Sequence, residues 1–155
     1  MSLTIAEMLA NAKGGPIDYN GKSIVMSYKI PITMSQEVEL EFIRVNDKYQ
    51  QGVEISIDIM EGFIEVNGQK LNSPVFWTAT APKLFTFKCN PLKKKGLLNI
   101  WNVWRSVEHN DIVDAWTGNS GIYIEHKNDN EYLFYCSCGR GDVNFNDLVF
   151  RLRIE

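Results

Sequence analysis

The chain has 155 residues, of which 45% are hydrophobic and 12% aromatic, with a net charge of −3 and a pI near 5.4. That length suits one domain with a true core, and the acidic balance argues against a nucleic-acid surface. No segment approaches the roughly 20 apolar residues of a membrane span, and the start of the chain lacks the basic residues and apolar run of a signal peptide. The expected location is therefore cytoplasmic, or that of a mature chain whose leader has been removed, and no membrane partner is expected.

Thr4-Ile5-Ala6-Glu7 has the form of a capping box opening a short helix with Ile5, Met8 and Leu9 on one side, and Gly14-Gly15-Pro16 ends it. Strand signals dominate thereafter. Ser23 to Lys29 is a first candidate. Val38, Leu40 and Phe42 alternate with Glu37, Glu39 and Glu41, which predicts an acidic outer face, and Val53, Ile55, Ile57 and Ile59 alternate with Glu54, Ser56 and Asp58. Asn67-Gly68 is a two-residue hairpin signal that sets Val66 opposite Gln69, Glu65 opposite Lys70 and Ile64 opposite Leu71. Val75 to Thr80 and Leu84 to Cys89 read as a further pair around Ala81-Pro82. Lys93-Lys94-Lys95 reads as a solvated loop before a long strand from Leu97 to Arg105.

Gly121 to His126 and Glu131 to Cys136 read as a pair joined by the loop Lys127 to Asn130. That register places Ile122, Ile124, Leu133 and Tyr135 on one face and Tyr123, Glu125, Tyr132 and Phe134 on the other. In the closing strand Leu148, Phe150, Leu152 and Ile154 share a face. Phe145 has the wrong parity to join them, so if both Phe145 and Phe150 are buried the alternation must break, most easily by a turn or bulge at Asn146-Asp147. Roughly ten strands at this spacing predict one all-β domain over residues 1–155, an antiparallel, jelly-roll-like β-sandwich with residues 1–15 as an N-terminal helical segment.

The cysteines Cys89, Cys136 and Cys138 form an odd set with no zinc-ligand spacing, and reduced buried thiols are expected. Chemistry-bearing clusters are scarce: Gly118-Asn119-Ser120-Gly121 is one residue short of a nucleophile elbow. Glu108, His109, Asp111 and Asp114 supply the basis for one competing reading, a small hydrolase or metal-dependent enzyme. A structural subunit that pairs through sheet edges is another. The aromatic set is more suggestive. Trp101 and Trp104 fall on opposite faces of one strand and, with Trp116, Tyr123 and Tyr132, form the candidate ligand-binding residues, because exposed rings serve glycan faces and protein interfaces alike. The functional expectation is a non-catalytic recognition module for a protein or a glycan.

Asp142, Asn144, Asn146 and Asp147 form an oxygen-rich loop before the closing strand. It reads either as a hydrogen-bonded bend or as a calcium site completed by backbone carbonyls, water or a neighbouring acid. An EF-hand is excluded, since Asp147 stands where glycine is needed and Arg153 where the bidentate glutamate belongs. The segment from Gly141 to Phe150 resembles the Asp-x-Asp-Phe-Asn-Asp-Leu-Val ending of several bacterial extracellular β-sandwich domains, with Asn144 in place of the second acid; the resemblance implies a calcium-binding loop. The C-terminal half also resembles a small uncharacterised bacterial β-sandwich family with a Trp-rich strand, an Ala-Trp turn and a similar ending, which implies no particular function.

Overall fold

A computed structural model describes residues 2–106 and 111–155. The capping box forms: Thr4 Oγ1 accepts from Glu7 N at 3.2 Å and Glu7 Oε1 accepts from Thr4 N at 3.0 Å, opening helix α1 (Ile5–Asn11). The described residues then contain thirteen strands. They are β1 (Ile17–Tyr19), β2 (Lys22–Ile24), β3 (Tyr28–Thr33), β4 (Gln36–Val45), β5 (Gln50–Ile57), β6 (Gly62–Val66), β7 (Gln69–Leu71), β8 (Val75–Trp77), β9 (Leu84–Pro91), β10 (Lys95–Arg105), β11 (Gly121–Asn128), β12 (Glu131–Ser137) and β13 (Leu148–Ile154).

All strand pairings are antiparallel. A seven-stranded sheet has the order β11-β12-β13-β4-β9-β6-β7, a four-stranded sheet the order β3-β10-β5-β8, and β1 and β2 form a separate ribbon. Between β3 and β11 the chain passes repeatedly from one sheet to the other, so most neighbours in sequence face each other across the interior rather than pairing. The result is an all-β sandwich with a short N-terminal helix, as expected. The interior is filled from both sides by residues such as Leu40, Phe134, Phe150 and Leu152 from the larger sheet and Ile30, Ile55, Leu98 and Ile100 from the smaller. Phe134 and Phe150 stack at 4.6 Å between centroids, and burial of each stabilises the fold by about 2–3 kcal/mol. Outside, Glu39 and Glu41 stand opposite Arg153 and Arg151, so the acidic face of β4 is neutralised by the closing strand, with Arg151 Nη2 2.7 Å from Glu41 Oε1.

The Asn67-Gly68 hairpin has the expected register. Three other expectations are corrected. Val75 to Thr80 and Leu84 to Cys89 do not form a hairpin: β8 lies in the smaller sheet against β5, and β9 lies in the larger one between β4 and β6. Both carry inward aromatic residues, so alternation alone does not distinguish a hairpin from an arch, and Phe76 and Phe87 meet across the interior at 5.6 Å. In the β11–β12 hairpin His126 pairs with Tyr132 and Asn128 with Glu131, which leaves Lys127 as an extra residue. That bulge shifts the register by one, turning Tyr132 and Phe134 inward with Ile122 and sending Leu133 and Tyr135 outward. Finally, β5 stops at Ile57. Ile59 lies in a short 3-10 turn (Asp58–Met60) with φ of 52° and is 73% exposed.

Cys89, Cys136 and Cys138 are free and buried. Burial pushes the Cys89 thiol up to about 12 and the Cys138 thiol up to about 11, so little thiolate forms at neutral pH. A thiol reagent at pH 8 is expected to modify none of the three in the native protein within minutes and all three in guanidinium chloride. Rapid native labelling would show that these positions are not in the closed interior.

Candidate functional site

The oxygen-rich loop turns inward at its last residue. A turn over Phe145 and Asn146 separates the outward course of Phe145 from the inward course of Phe150, and Asp147, which follows it, is 2% exposed. Its carboxylate accepts from Asn46 Nδ2 at 3.0 Å through one oxygen and from Cys138 N at 3.1 Å through the other. Its carbonyl accepts from Gln51 Nε2 at 2.8 Å and from Asn46 N at 2.8 Å. Asp147 thereby ties the β4–β5 turn, the start of β5 and the end of β12 to the start of β13. The remaining residues complete the bend: Asn144 Oδ1 accepts from Asn146 N at 2.9 Å, and Ser137 Oγ accepts from Asn144 N at 3.1 Å.

This arrangement does not fit a calcium centre. Both oxygens of Asp147 already receive N–H donors, the Asn144 oxygen is used within the turn, and Asp142 projects into solvent. Among the described residues no group of three or more His, Cys, Asp or Glu side chains is placed to hold a metal ion.

From this clasp a chain of close contacts leads to an exposed tryptophan. The amide of Cys138 is held by Asp147, and Gly139 next to it leaves no room for a Cβ because the Trp104 ring and the Thr117 carbonyl press against it. Trp104 and Asp114 exchange two backbone hydrogen bonds of 3.1 and 2.8 Å, which fixes the start of the 114–120 loop. Gly118, with φ of 58°, lies so close to the Gly139 carbonyl that a side chain would collide. The far side of the loop receives helix α1: Ala6 N donates to Gly118 O at 2.9 Å and Ile5 N to Asn119 Oδ1 at 3.3 Å.

Trp116 sits at the apex of this loop with 43% of its surface exposed. Its Nε1–H donates to Met26 O at 3.2 Å, and its ring packs at 5.3 Å on Trp101, which points outward from β10 and is thereby reduced to 8% exposure. The outer face of the smaller sheet continues away from this pair. Trp101 stands opposite Glu54, and Gly52, two residues before it on β5, stands opposite Trp77 of β8. Because Gly52 has no side chain, the Trp77 ring lies against the sheet, and the Arg105 guanidinium sits 4.3 Å from its centroid while Arg105 Nε donates to Gln50 Oε1 at 2.9 Å. Two strand spacings, roughly 10 Å, separate β8 from β10. The face therefore presents two partly exposed indoles with an arginine, a glutamine and a glutamate among them.

Of the five ring residues expected to bind a ligand, Trp101 and Trp116 belong to this face. Trp104 and Tyr132 do not form a surface: they are 2% and 6% exposed, Trp104 against Gly139 and Tyr132 against Tyr28, the latter turned inward by the bulge at Lys127. Tyr123 lies on the outer face of the other sheet, stacked on Tyr135 at 4.5 Å with Lys22 Nζ 4.4 Å from its centroid. Beside it a hydrogen bond to Glu125 pushes the Tyr135 hydroxyl up to about 12. Glu108 and His109 lie outside the described residues; Asp111 is exposed, and Asp114 serves the bridge to Trp104. Trp77, Arg105 and Gly52 were absent from the expected site, although a lone glycine inside a β-branched strand is itself a sign of close approach by another group.

Comparison with protein-family models, curated proteins and solved structures finds no match for the chain.

Replacing Asp147 with Ala leaves four buried or half-buried donors without their acceptor or its positioning, and is expected to lower stability by about 2–4 kcal/mol and Tm by roughly 5–15 °C. Asp142→Ala is expected to change stability by less than about 0.5 kcal/mol. Melts in calcium and in chelator are expected to coincide for both variants and the parent. A calcium-dependent rise in Tm that either substitution abolishes would instead establish a cation site.

Proposed function

We propose that the protein is a non-catalytic recognition module that binds a glycan or a protein through the outer face of the smaller sheet, with Trp116 as its principal contact. The observation that carries this reading is an indole 43% exposed yet fixed at two points, by its hydrogen bond to Met26 O and by its packing on Trp101. A ring held in this way offers a large apolar face and loses little conformational freedom on binding. Trp77, stiffened by Gly52 beneath it and Arg105 beside it, extends the platform, while Gln50 and Glu54 supply hydrogen-bonding groups along its length. A flat aromatic surface interspersed with polar side chains suits the apolar face and peripheral hydroxyls of a sugar ring as well as a protein anchor. In this reading the C-terminal loop is a structural bend that supports the Trp116 loop.

A glycan array probed with the parent protein and with Trp116→Ala tests the proposal. Binding to a restricted set of glycans is expected, and the variant, still folded by circular dichroism, is expected to lose it by about 1–3 kcal/mol of affinity, at least fivefold. Glycan binding that survives Trp116→Ala and Trp77→Ala together would contradict the assigned face.

A further inference from the structure

The opposite end of the smaller sheet carries a different surface. After Ile57 the chain makes the turn Asp58–Met60, in which Ile59 and Met60 both adopt left-handed backbone angles, φ of 52° and 58°. A β-branched residue rarely occupies that region, and the conformation carries strain. The strain does not serve burial: Ile59 is 73% exposed and Met60 66%. The β9–β10 turn lies alongside, joined by a 3.0 Å hydrogen bond from Leu92 N to Glu61 O, and adds Leu92 at 70% exposure. Three large apolar side chains thus project from one end of an acidic protein.

The same turn holds Lys93 and Lys94 and leads into Lys95, the first residue of β10; the three line or flank a shallow cleft of about 140 Å³ between Ile59 and Leu97. Across the two turns and the first residue of β10, Lys93, Lys94 and Lys95 stand against Asp58 and Glu61, and Lys29 reaches Asp58 from further along β3. Lys29 pairs with Asp58 at 3.2 Å and Lys93 approaches Glu61 at 3.8 Å, while among the described residues Lys94 and Lys95 have no ion-pair partner. Exposed apolar residues at an apex, flanked by the two lysines Lys94 and Lys95 that have no ion-pair partner among the described residues, match the two layers of an anionic bilayer surface: acyl chains below and phosphate or carboxylate headgroups above.

We propose that this tip, Ile59, Met60 and Leu92 with Lys93 to Lys95, docks on anionic lipid bilayers. The apolar side chains enter the headgroup region and the lysines meet the lipid charges. No helix among the described residues is long and apolar enough to cross a membrane, and none is needed for contact of this kind. The proposal departs from the expectation of no membrane partner, which considered only spanning segments. Because β10 runs from Lys95 at the tip to Arg105 beside Trp77, the docked protein would hold the aromatic face roughly 30 Å above the bilayer.

Cosedimentation with vesicles of phosphatidylcholine alone, or with roughly 30 mol% phosphatidylserine, tests this in low and high salt. The parent is expected to bind the anionic vesicles, to release at high salt, and to leave neutral vesicles unbound. Lys94→Glu with Lys95→Glu, and Ile59→Ser with Met60→Ser, are each expected to weaken binding at least tenfold, whereas Trp116→Ala leaves it unchanged, separating this site from the proposed ligand face. Ile59→Gly is expected to raise the melting temperature while weakening vesicle binding, the signature of strain kept for an external contact. No binding by the parent, or equal binding by the tip variants, would overturn the proposal. So would a dimer in sedimentation equilibrium that Ile59→Ser dissolves without any effect on vesicles, which would assign the tip to a second copy of the chain.

Discussion

Asp147 receives four hydrogen bonds from three other parts of the chain while retaining 2% exposure. A buried carboxylate is costly unless its oxygens are met by donors, and donors left behind by its removal carry their own desolvation cost. Asn46, Gln51 and Cys138 therefore have a single arrangement that satisfies all of them. That arrangement joins β5 of the smaller sheet to β13 of the larger one at the end of the sandwich where the hydrophobic interior gives way to polar groups. Gln51, Asn102, Ser137 and Asp147 are all buried there, and Asn102 Nδ2 donates across to Ser137 O at 3.1 Å.

The polar end positions what lies above it. With Cys138 fixed, Gly139 seats against the Trp104 ring, Trp104 holds Asp114, and the 114–120 loop closes over Gly139 through Gly118. Helix α1 and the Met26 carbonyl then grip the loop from the other side, so Trp116 is exposed without being loosely held. The two glycines matter through their lack of a side chain, since each marks a place where backbone or ring fills the Cβ position. The opposite end instead carries the turn Asp58–Met60, with left-handed backbone at Ile59 and Met60 and their apolar side chains turned outward. The two ends of one sandwich thus differ in kind: a rigidly held loop above the clasp at one, outward apolar side chains beside lysines at the other.

How much was legible in the sequence follows from how local each signal is. The capping box at Thr4 and Glu7, the Asn67-Gly68 turn, the alternation of β4 and the parity of β13 are all decided within a few residues, and each forms as read. A turn does precede β13, but not for the reason of parity: Phe145 packs outside the sandwich with helix α1 and Tyr123 while Phe150 faces its interior, so the two rings never share a face. Partner choice was not legible. Whether β8 pairs with β9 or crosses to the other sheet depends on Gly52 and Glu54, more than 20 residues earlier, and the bulge at Lys127 reversed the faces of β12 without any glycine to announce it. The same holds for the site. Trp116 could be named as a ring of interest, but its partners are Met26, 90 residues away, and Trp101; Asp147 could be named as an oxygen donor, but Asn46 lies 101 residues away. The acidic loop looked like a metal site because its oxygens are adjacent in sequence, whereas in the fold those of Asp147 and Asn144 accept from amide N–H groups and Asp142 is exposed.

The account rests on Asp147 controlling the Trp116 loop through Cys138, Gly139 and Trp104. Native-state hydrogen exchange in the parent and in Asp147→Asn, which preserves shape while setting an amide group against donors, measures that control directly. The account predicts lost protection at the amides of Asn46 and Cys138 and, beyond them, at the paired amides of Trp104 and Asp114, with Phe150 and Leu152 protected to the lower global stability of the variant. If Asn46 and Cys138 lose protection while Trp104 and Asp114 keep theirs, the clasp is a local fastening and does not position the Trp116 loop.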